Sequence, residues 1–347
     1  MAERKGIDDR TYVRRVLIAL GLALLLFIIW QLRSLLLMLF GAVVVATVFR
    51  ALSDRIQKST KVREGIAVAA SILLILGTVL LLLLLFGRNL SQQVATLDRT
   101  LPAAWASFEA RVAELGLGDE LARIIDGIRQ GLSPAGYGRA VLSFGNAVIE
   151  GLVVLFAGIF LAAQPRLYAT GAIKLVPPGR RPLIAEAMGE SERALRLWLK
   201  GQLIAMIGVG VLTGTGLWLL GLPSALALGL LAGVLEFVPF VGPILSSVPA
   251  ILLALAVSPD LALWVALLYF GVQQLEGYLL TPLVQQYAVD LPGVVLLFSL
   301  LGFGILFGTL GVVLAAPLTV VTYVLVKRLY VIETLHTPTP IPGKDSA

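Results

Sequence analysis

The chain alternates long apolar runs with short polar connectors. Apolar segments fall at about 16–30, 35–49, 66–87, 141–163, 201–222, 224–257, 261–281 and 294–326. Six of the eight reach the roughly 20 residues that carry a helix across a bilayer. The pattern predicts an all-α, polytopic helical membrane protein with about seven to eight membrane segments. The first two runs are shorter and predict helices that tilt or extend into their polar flanks, paired as a two-helix hairpin over 16–49. The basic start RTYVRR leads into the first run with no small-residue cleavage site, and WQLRS passes straight into the next. That segment is therefore read as a retained helix.

Two of the long runs are interrupted. LEFVPFVGP, residues 235–243, divides 224–257 into halves of about 13 and 14 residues that each rise roughly 20 Å, short of a roughly 30 Å hydrocarbon core. Pro239 and Pro243 cannot continue an ordinary helix, and Gly242 permits a turn. The economical reading is a re-entrant hairpin. The run 291–326 has the same construction: Pro223 to Gly242 and Pro292 to Gly311 are both 19 positions, and Pro223 to Pro239 and Pro292 to Gly308 are both 16. The closing prolines Pro249 and Pro317 lie 26 and 25 along. Broken apolar segments in corresponding positions point to a transport site, because freed backbone groups there must line water or protein rather than lipid.

Composition narrows the class further. The 347 residues are 58% hydrophobic and 14% charged, against about 25% charged in a soluble domain. There is no cysteine, and the one histidine is His336 in a Pro-rich tail, which leaves no thiolate or imidazole metal cluster and no Ser-His-Asp catalysis. No phosphate-binding loop motif occurs, and no His-Glu-x-x-His or paired-Asp arrangement marks an intramembrane enzyme. Neither an enzymatic activity nor a cofactor is expected.

The net charge of +6 reflects topology rather than nucleic-acid binding. Residues 1–15, 50–64, 164–200 and 327–347 carry five, five, seven and three Lys/Arg, 20 of the 27 basic residues. All four lie on one side if 16–49 is a hairpin, and the positive-inside rule makes that side the cytoplasm, with both termini there. Residues 88–140 then form a periplasmic loop with six basic and six acidic residues. Its stripe from Leu90 through Trp105 to Leu115 predicts an amphipathic helix, bent at Pro102, which packs on its own chain or pairs between subunits of a homo-oligomer. Residues 164–200 form a cytoplasmic loop with a rigid VPPGRRP turn, then a helix that places Arg193, Arg196 and Lys200 at the lipid headgroups. The chain thus divides into N-terminal membrane helices (1–87), the extramembrane loop (88–140), a transport core (141–330) and a disordered cytoplasmic tail (331–347).

Between 201 and 326 the only acidic residues are Glu236, Asp260, Glu276 and Asp290, and Lys200 and Lys327 bracket a stretch with no basic residue. Asp260 follows Ser258-Pro259 in a turn, and Asp290 ends a segment. Glu236 and Glu276 lie inside apolar sequence, where a carboxylate costs at least about 2.5–3.5 kcal/mol and marks function by default. With no basic partner in this half they face water, bind a cation, stay protonated by burial, or make a structural hydrogen bond between helices. Gln273 and Gln274 beside Glu276, and Gln285 and Gln286 after it, add polar groups to the same crossing. The candidate solute- or ion-binding residues are therefore Glu236, Pro239, Gly242, Pro243, Gln273, Gln274, Glu276, Gly308 and Gly311.

LEFVPFVGPILSSVPAI, QQLEGYLLTPLV and FGTLGVVLAAPLTVV, in that order and spacing, resemble the autoinducer-2 exporter family of bacterial membrane transporters, the PerM-like permeases. The likeness is most specific over about 200–330. Family members often have Asn after the second-motif glutamate, where this chain has Gly277, and DLPG is looser than the usual form. The resemblance implies a multi-pass protein of the bacterial inner membrane that exports a small polar solute or signal molecule, with H+ or Na+ as coupling ion. A monovalent cation (Na+/Li+)/proton antiporter is the alternative of the same class. A membrane scaffold or assembly factor, with 88–140 as its working surface, is the alternative of another class.

Overall fold

The computed structural model describes residues 9–81, 84, 134–280 and 291–340, and these are helical with short connectors. The helices are α1 Asp9–Gln31, α2 Arg33–Thr60, α3 Glu64–Leu81, α4 Pro134–Ala163, α5 Pro165–Lys174, α6 Arg181–Leu219, α7 Ala225–Leu235, α8 Val241–Val257, α9 Pro259–Leu275 and α10 Gly293–Leu325. A π turn, Glu276–Leu280, ends α9, and a second, Val326–Ile332, extends α10. The amphipathic stripe of the 88–140 loop, Gln285, Gln286 and Asp290 lie outside the described residues.

Four helical stretches are long and apolar enough to cross a membrane alone: Arg33–Thr60, Glu64–Leu81, Pro178–Leu219 and Gly293–Ile332. Val148–Ala163 with Pro165–Lys174, bent by 92°, makes a fifth. The chain is thus an all-helical, multi-pass membrane protein, and its exposed leucines, valines and phenylalanines are the side chains a bilayer would cover.

The hairpin expected over 16–49 does not form. Leu32 donates to Ile28 O at 2.9 Å and Leu36 to Leu32 O at 3.0 Å, so the helical hydrogen-bond ladder runs through the α1–α2 junction. The one irregular residue there, Leu32, keeps φ −88° and ψ 2°. A reversal needs a turn signal, and Trp30-Gln31-Leu32-Arg33 supplies neither glycine nor proline. Both helices do extend into polar flanks as expected, and α2 ends where Lys61 turns left-handed at φ 55°.

The basic segments behind α2 come together. Arg50 meets Glu64 at 2.7 Å, and Arg196 on α6 meets Asp54 on α2 at 2.5 Å and Glu192 at 3.0 Å. Arg328, beyond α10, meets Glu186 at 2.6 Å and lies 3.6 Å from the buried Glu190. Segments 50–64, 164–200 and 327–340 therefore share one face, as the charge pattern predicted. Without the hairpin, residues 1–15 lose their place in that scheme. Arg196, placed at the headgroup level by the sequence reading, is held there by its ion pairs with Asp54 and Glu192 within the basic face.

α6 organises the core. A single buried stripe runs down it from Ala187 through Ala194, Trp198, Ala205 and Val209 to Leu217. Its first half packs with Leu37 and Val44 of α2 and with Leu314, Val320 and Val324 of α10. Its far end packs with Leu228 of α7, Leu253 of α8 and Val265 of α9. Where α6 crosses α7 the backbones touch through Gly210, Gly214, Gly229 and Gly233. A Cβ on Gly233 would stand 2.6 Å from Met206 O, and one on Gly229 would overlap the backbone of Gly214. Paired glycines four apart are the means by which helices in lipid approach closely.

Candidate functional site

The chain between α7 and α8 follows from backbone accounting. Helical pairing persists to Glu236, whose N–H donates to Ala232 O at 2.9 Å. Pro239 has no N–H to give to Leu235 O, which instead accepts from Val238 at 3.0 Å. Val241 N–H donates to Pro239 O at 2.8 Å across Phe240, whose φ is 67° and ψ −43°. That is a γ-turn of the rare, strained hand on a phenylalanine. The carbonyl of Glu236 is left over, and Gln202 of α6 fills it, Nε2 to O at 2.6 Å.

After this turn the chain doubles back. A Cβ on Gly242 would collide with Leu235 O, seven residues earlier, although seven residues of straight helix separate Cα atoms by about 10 Å. The second interruption shares features of this geometry. Gly308 has φ 68° and ψ −148° inside what otherwise reads as one helix. A Cβ on Gly311 would collide with Phe303 O, and one on Gly304 would stand 2.9 Å from Val312. The left-handed residues Phe240 and Gly308 each precede an in-helix proline, Pro249 or Pro317, by nine positions. Each interrupted segment thus places a positive-φ residue nine positions before a proline, although ψ differs, −43° at Phe240 and −148° at Gly308, and the pairing is one position off the sequence spacing of Pro239 with Gly308.

Glu236 is 1% exposed, and its Oε2 takes no hydrogen bond from any donor. Its carboxyl neighbours that of Glu276, 40 positions later at the start of the π turn ending α9. Gln273 donates to Glu276 Oε2 at 2.7 Å. Single-turn π geometry is frequent at functional sites, since the extra residue re-aims a side chain. Two carboxylates are both acceptors, so their contact closes only with a proton or a cation between them.

Of the residues singled out in sequence, Glu236, Glu276 and Gln273 are brought together, with the turn of Pro239, Gly242 and Pro243 beside them. Gln274 is exposed. Gly308 has open space where a Cβ would stand, and Gly311 packs on Phe303 and Phe307 of its own segment rather than on the carboxyl pair. The two interruptions are linked through packing. Phe237 sits edge-on to Trp198 with ring centroids 6.0 Å apart, and Phe237, Phe307 and Leu310 border one hydrophobic cluster. Sequence reading missed Gln202. Its signal was a lone amide inside the apolar start of a span. It also missed Tyr269, which donates to Ser246 O at 3.1 Å and ties α9 to α8.

Broken helices, a neighbouring pair of carboxyls within apolar helices and closely packed small-residue crossings define a polytopic membrane protein of the transporter class. The sequence pattern described as AI-2E family transporter matches residues 18–330, and the chain belongs to that family. Curated relatives carry names that designate transport provisionally. YrrI of Bacillus subtilis strain 168 is 33% identical over 162 residues, 47% of this chain and 46% of its own length. YueF of the same organism is 29% identical over 185 residues, 53% and 49% of the two chains. The permease PerM of Escherichia coli K12 is 28% identical over 169 residues, 48% of each. The chain spans about half the length of these relatives.

Proposed function

We propose that the chain is a secondary transporter that exports a small polar solute or signal molecule across the bacterial inner membrane, linked to an ion gradient. The observation that carries the reading is the Glu236–Glu276 pair. Glu236 is buried at a helix interruption and Glu276 is half-buried, within a stretch of sequence that has no basic residue to neutralise them. Charge in such a place is costly and is retained for what it binds. The two matched interruptions are read as re-entrant hairpins whose freed backbone lines a polar path. Counting both, with α9 and the longer helices, gives the seven to eight membrane segments of the sequence reading. The shared face of segments 50–64, 164–200 and 327–340 is the cytoplasmic one by its basic excess.

A second reading, monovalent cation/proton exchange, is favoured by the contact between the two carboxyls. A site that closes on either one proton or one small cation exchanges them by competition. Both readings are tested in sealed vesicles with imposed proton and sodium gradients and a panel of solutes. Glu236→Gln and Glu276→Gln keep the shape of the side chain but cannot ionise. Each is expected to assemble normally and to lose ion-linked flux. Parental flux from both variants across pH 6 to 8 would remove the carboxyls from the mechanism.

A further inference from the structure

We propose that α5 lies in the plane of the membrane surface on the basic face, and that the elbow beneath it seats the headgroup of an anionic phospholipid. The starting point is the 92° bend between Val148–Ala163 and Pro165–Lys174. Read as a span by itself rather than with α5, the 30-residue α4 leaves a helix bent by 92° from it running parallel to the bilayer. Gln164-Pro165 makes the bend: Gln164 leaves the helix at φ −132° and ψ 56°, and Pro165 starts the next one at its first position.

α5 has no buried residue. Leu167 is 63% and Leu175 89% exposed, and Tyr168 is also exposed. Apolar side chains on a surface-parallel helix are covered when they dip into the acyl boundary. Cations frame them: Arg166 at one end, Lys174 and Arg180 at the other. Arg181 does a different job, donating to Val176 O at 3.0 Å and Lys174 O at 3.3 Å and closing the C-terminal end of α5. Among the described residues Arg166, Lys174 and Arg180 form no ion pair.

Under the elbow is a cavity of about 390 Å³, bounded by Glu64, Gly65 and Val68 of α3 and by Gln164, Arg166 and Leu167. Glu64 is already paired with Arg50 at 2.7 Å, which leaves Arg166 as the uncompensated charge at the rim. A cationic fork, an amide and apolar walls suit a phosphate ester joined to acyl chains. The shared chemistry with free phosphate is the phosphate group; the apolar walls and the surface helix favour the lipid.

The test uses the full chain in nanodiscs, exploiting its lack of cysteine. A fluorophore on Leu175→Cys should be quenched more by lipids with a nitroxide near the headgroup than near the acyl terminus. The same fluorophore on Ile207→Cys, mid-way along the apolar part of α6, should show the opposite order. The same order at both sites, or no quenching at 175, overturns the surface placement. For the headgroup, a fluorophore on Leu167→Cys is titrated with phosphatidylglycerol in phosphatidylcholine discs. A saturable change is expected, weakened about fivefold by Arg166→Gln, the contribution of one cation near an anionic surface. An unchanged titration in Arg166→Gln overturns the seat. The same saturation with inorganic phosphate alone assigns it to a free anion and overturns the lipid.

Discussion

Replacing Gly308 with alanine separates a bent α10 from a straight one by sign. In a continuous helix, alanine is better than glycine by about 0.8–1.0 kcal/mol, so the substitution would stabilise. At φ 68° and ψ −148° the backbone is in territory that side chains rarely enter, at a cost on the order of 1–3 kcal/mol. Nothing lies within 4 Å of where the new methyl would stand, so no clash contributes and the whole effect is conformational. Gly302 provides the internal control. It sits in the same element with helical backbone and open space, and Gly302→Ala should gain roughly the 0.8–1.0 kcal/mol that Gly308→Ala cannot. The measurement is equilibrium unfolding of the detergent-solubilised chain, followed by the fluorescence of Trp198, buried in the cluster that Phe307 and Leu310 border. Stabilisation by both substitutions would mean that 293–325 is one straight span, and the matched interruptions would have to be given up.

Gly229→Ala at the α6–α7 crossing drives a methyl into the backbone of Gly214, and overpacking of this kind costs typically about 1–3 kcal/mol; the same unfolding measurement reads it. Gln202→Leu removes the 2.6 Å bond to Glu236 O and should cost about 1–3 kcal/mol in stability while shifting the pH profile of flux, since the turn carrying Glu236 loses its tether; an unshifted profile would make Gln202 a structural residue only. On the basic face, Asp54→Asn breaks a pair whose side chains are each more than a third exposed and should cost no more than about 1 kcal/mol. Arg328→Met beside the buried Glu190 should cost several times that, so equal losses would contradict the burial.

How much of this was legible in sequence depends on which physical signal each feature leaves. Proline and glycine leave a strong one, so both interruptions were placed from Pro239, Gly242, Gly308 and Gly311, and the structure breaks the regular helix at both places. Buried charge is equally legible, because a glutamate in an apolar run has few explanations. That Glu236 and Glu276 meet required the fold: 40 residues and a turn separate them, and no periodicity encodes the α6–α7–α9 packing that closes the gap. The α1–α2 junction failed for the converse reason. The polar break WQLRS and the bias of basic residues were read as a reversal, but a helix turns back only where residues release its hydrogen bonds, and none at 30–33 does. Gln202 was passed over because one amide near a basic helix start resembles ordinary interfacial sequence, and its role appears only when a carbonyl 34 positions away is found without a helical partner.

The two interruptions share backbone features but not a chemistry. Phe240 and Gly308 both take a positive φ nine residues before a proline, with different ψ, and Gly242 and Gly311 each lie against a carbonyl seven or eight residues back. The first interruption carries a glutamate, a strained phenylalanine and a tether to α6. The second, FGILFGTLG, offers Thr309 as its one polar side chain and relieves the same φ with glycine. A glycine would have served at 240 at lower conformational cost, so the phenyl ring is kept against a backbone penalty of about 1–3 kcal/mol. Such strain persists only where surroundings hold it, and here they are identifiable: Gln202 fixes the preceding carbonyl, Gly242 locks the returning strand of chain, and Tyr269 pins Ser246 in the first turns of α8. The first interruption is thus held by side chains from α6 and α9, the second by its own glycines. The ion site proposed at Glu236 falls on the held one, where a small displacement at the carboxyl would bear directly on the Gln202 bond and the Phe240 turn. In this arrangement the two interruptions differ in what holds them, and the proposed ion site falls on the one that side chains of other helices hold.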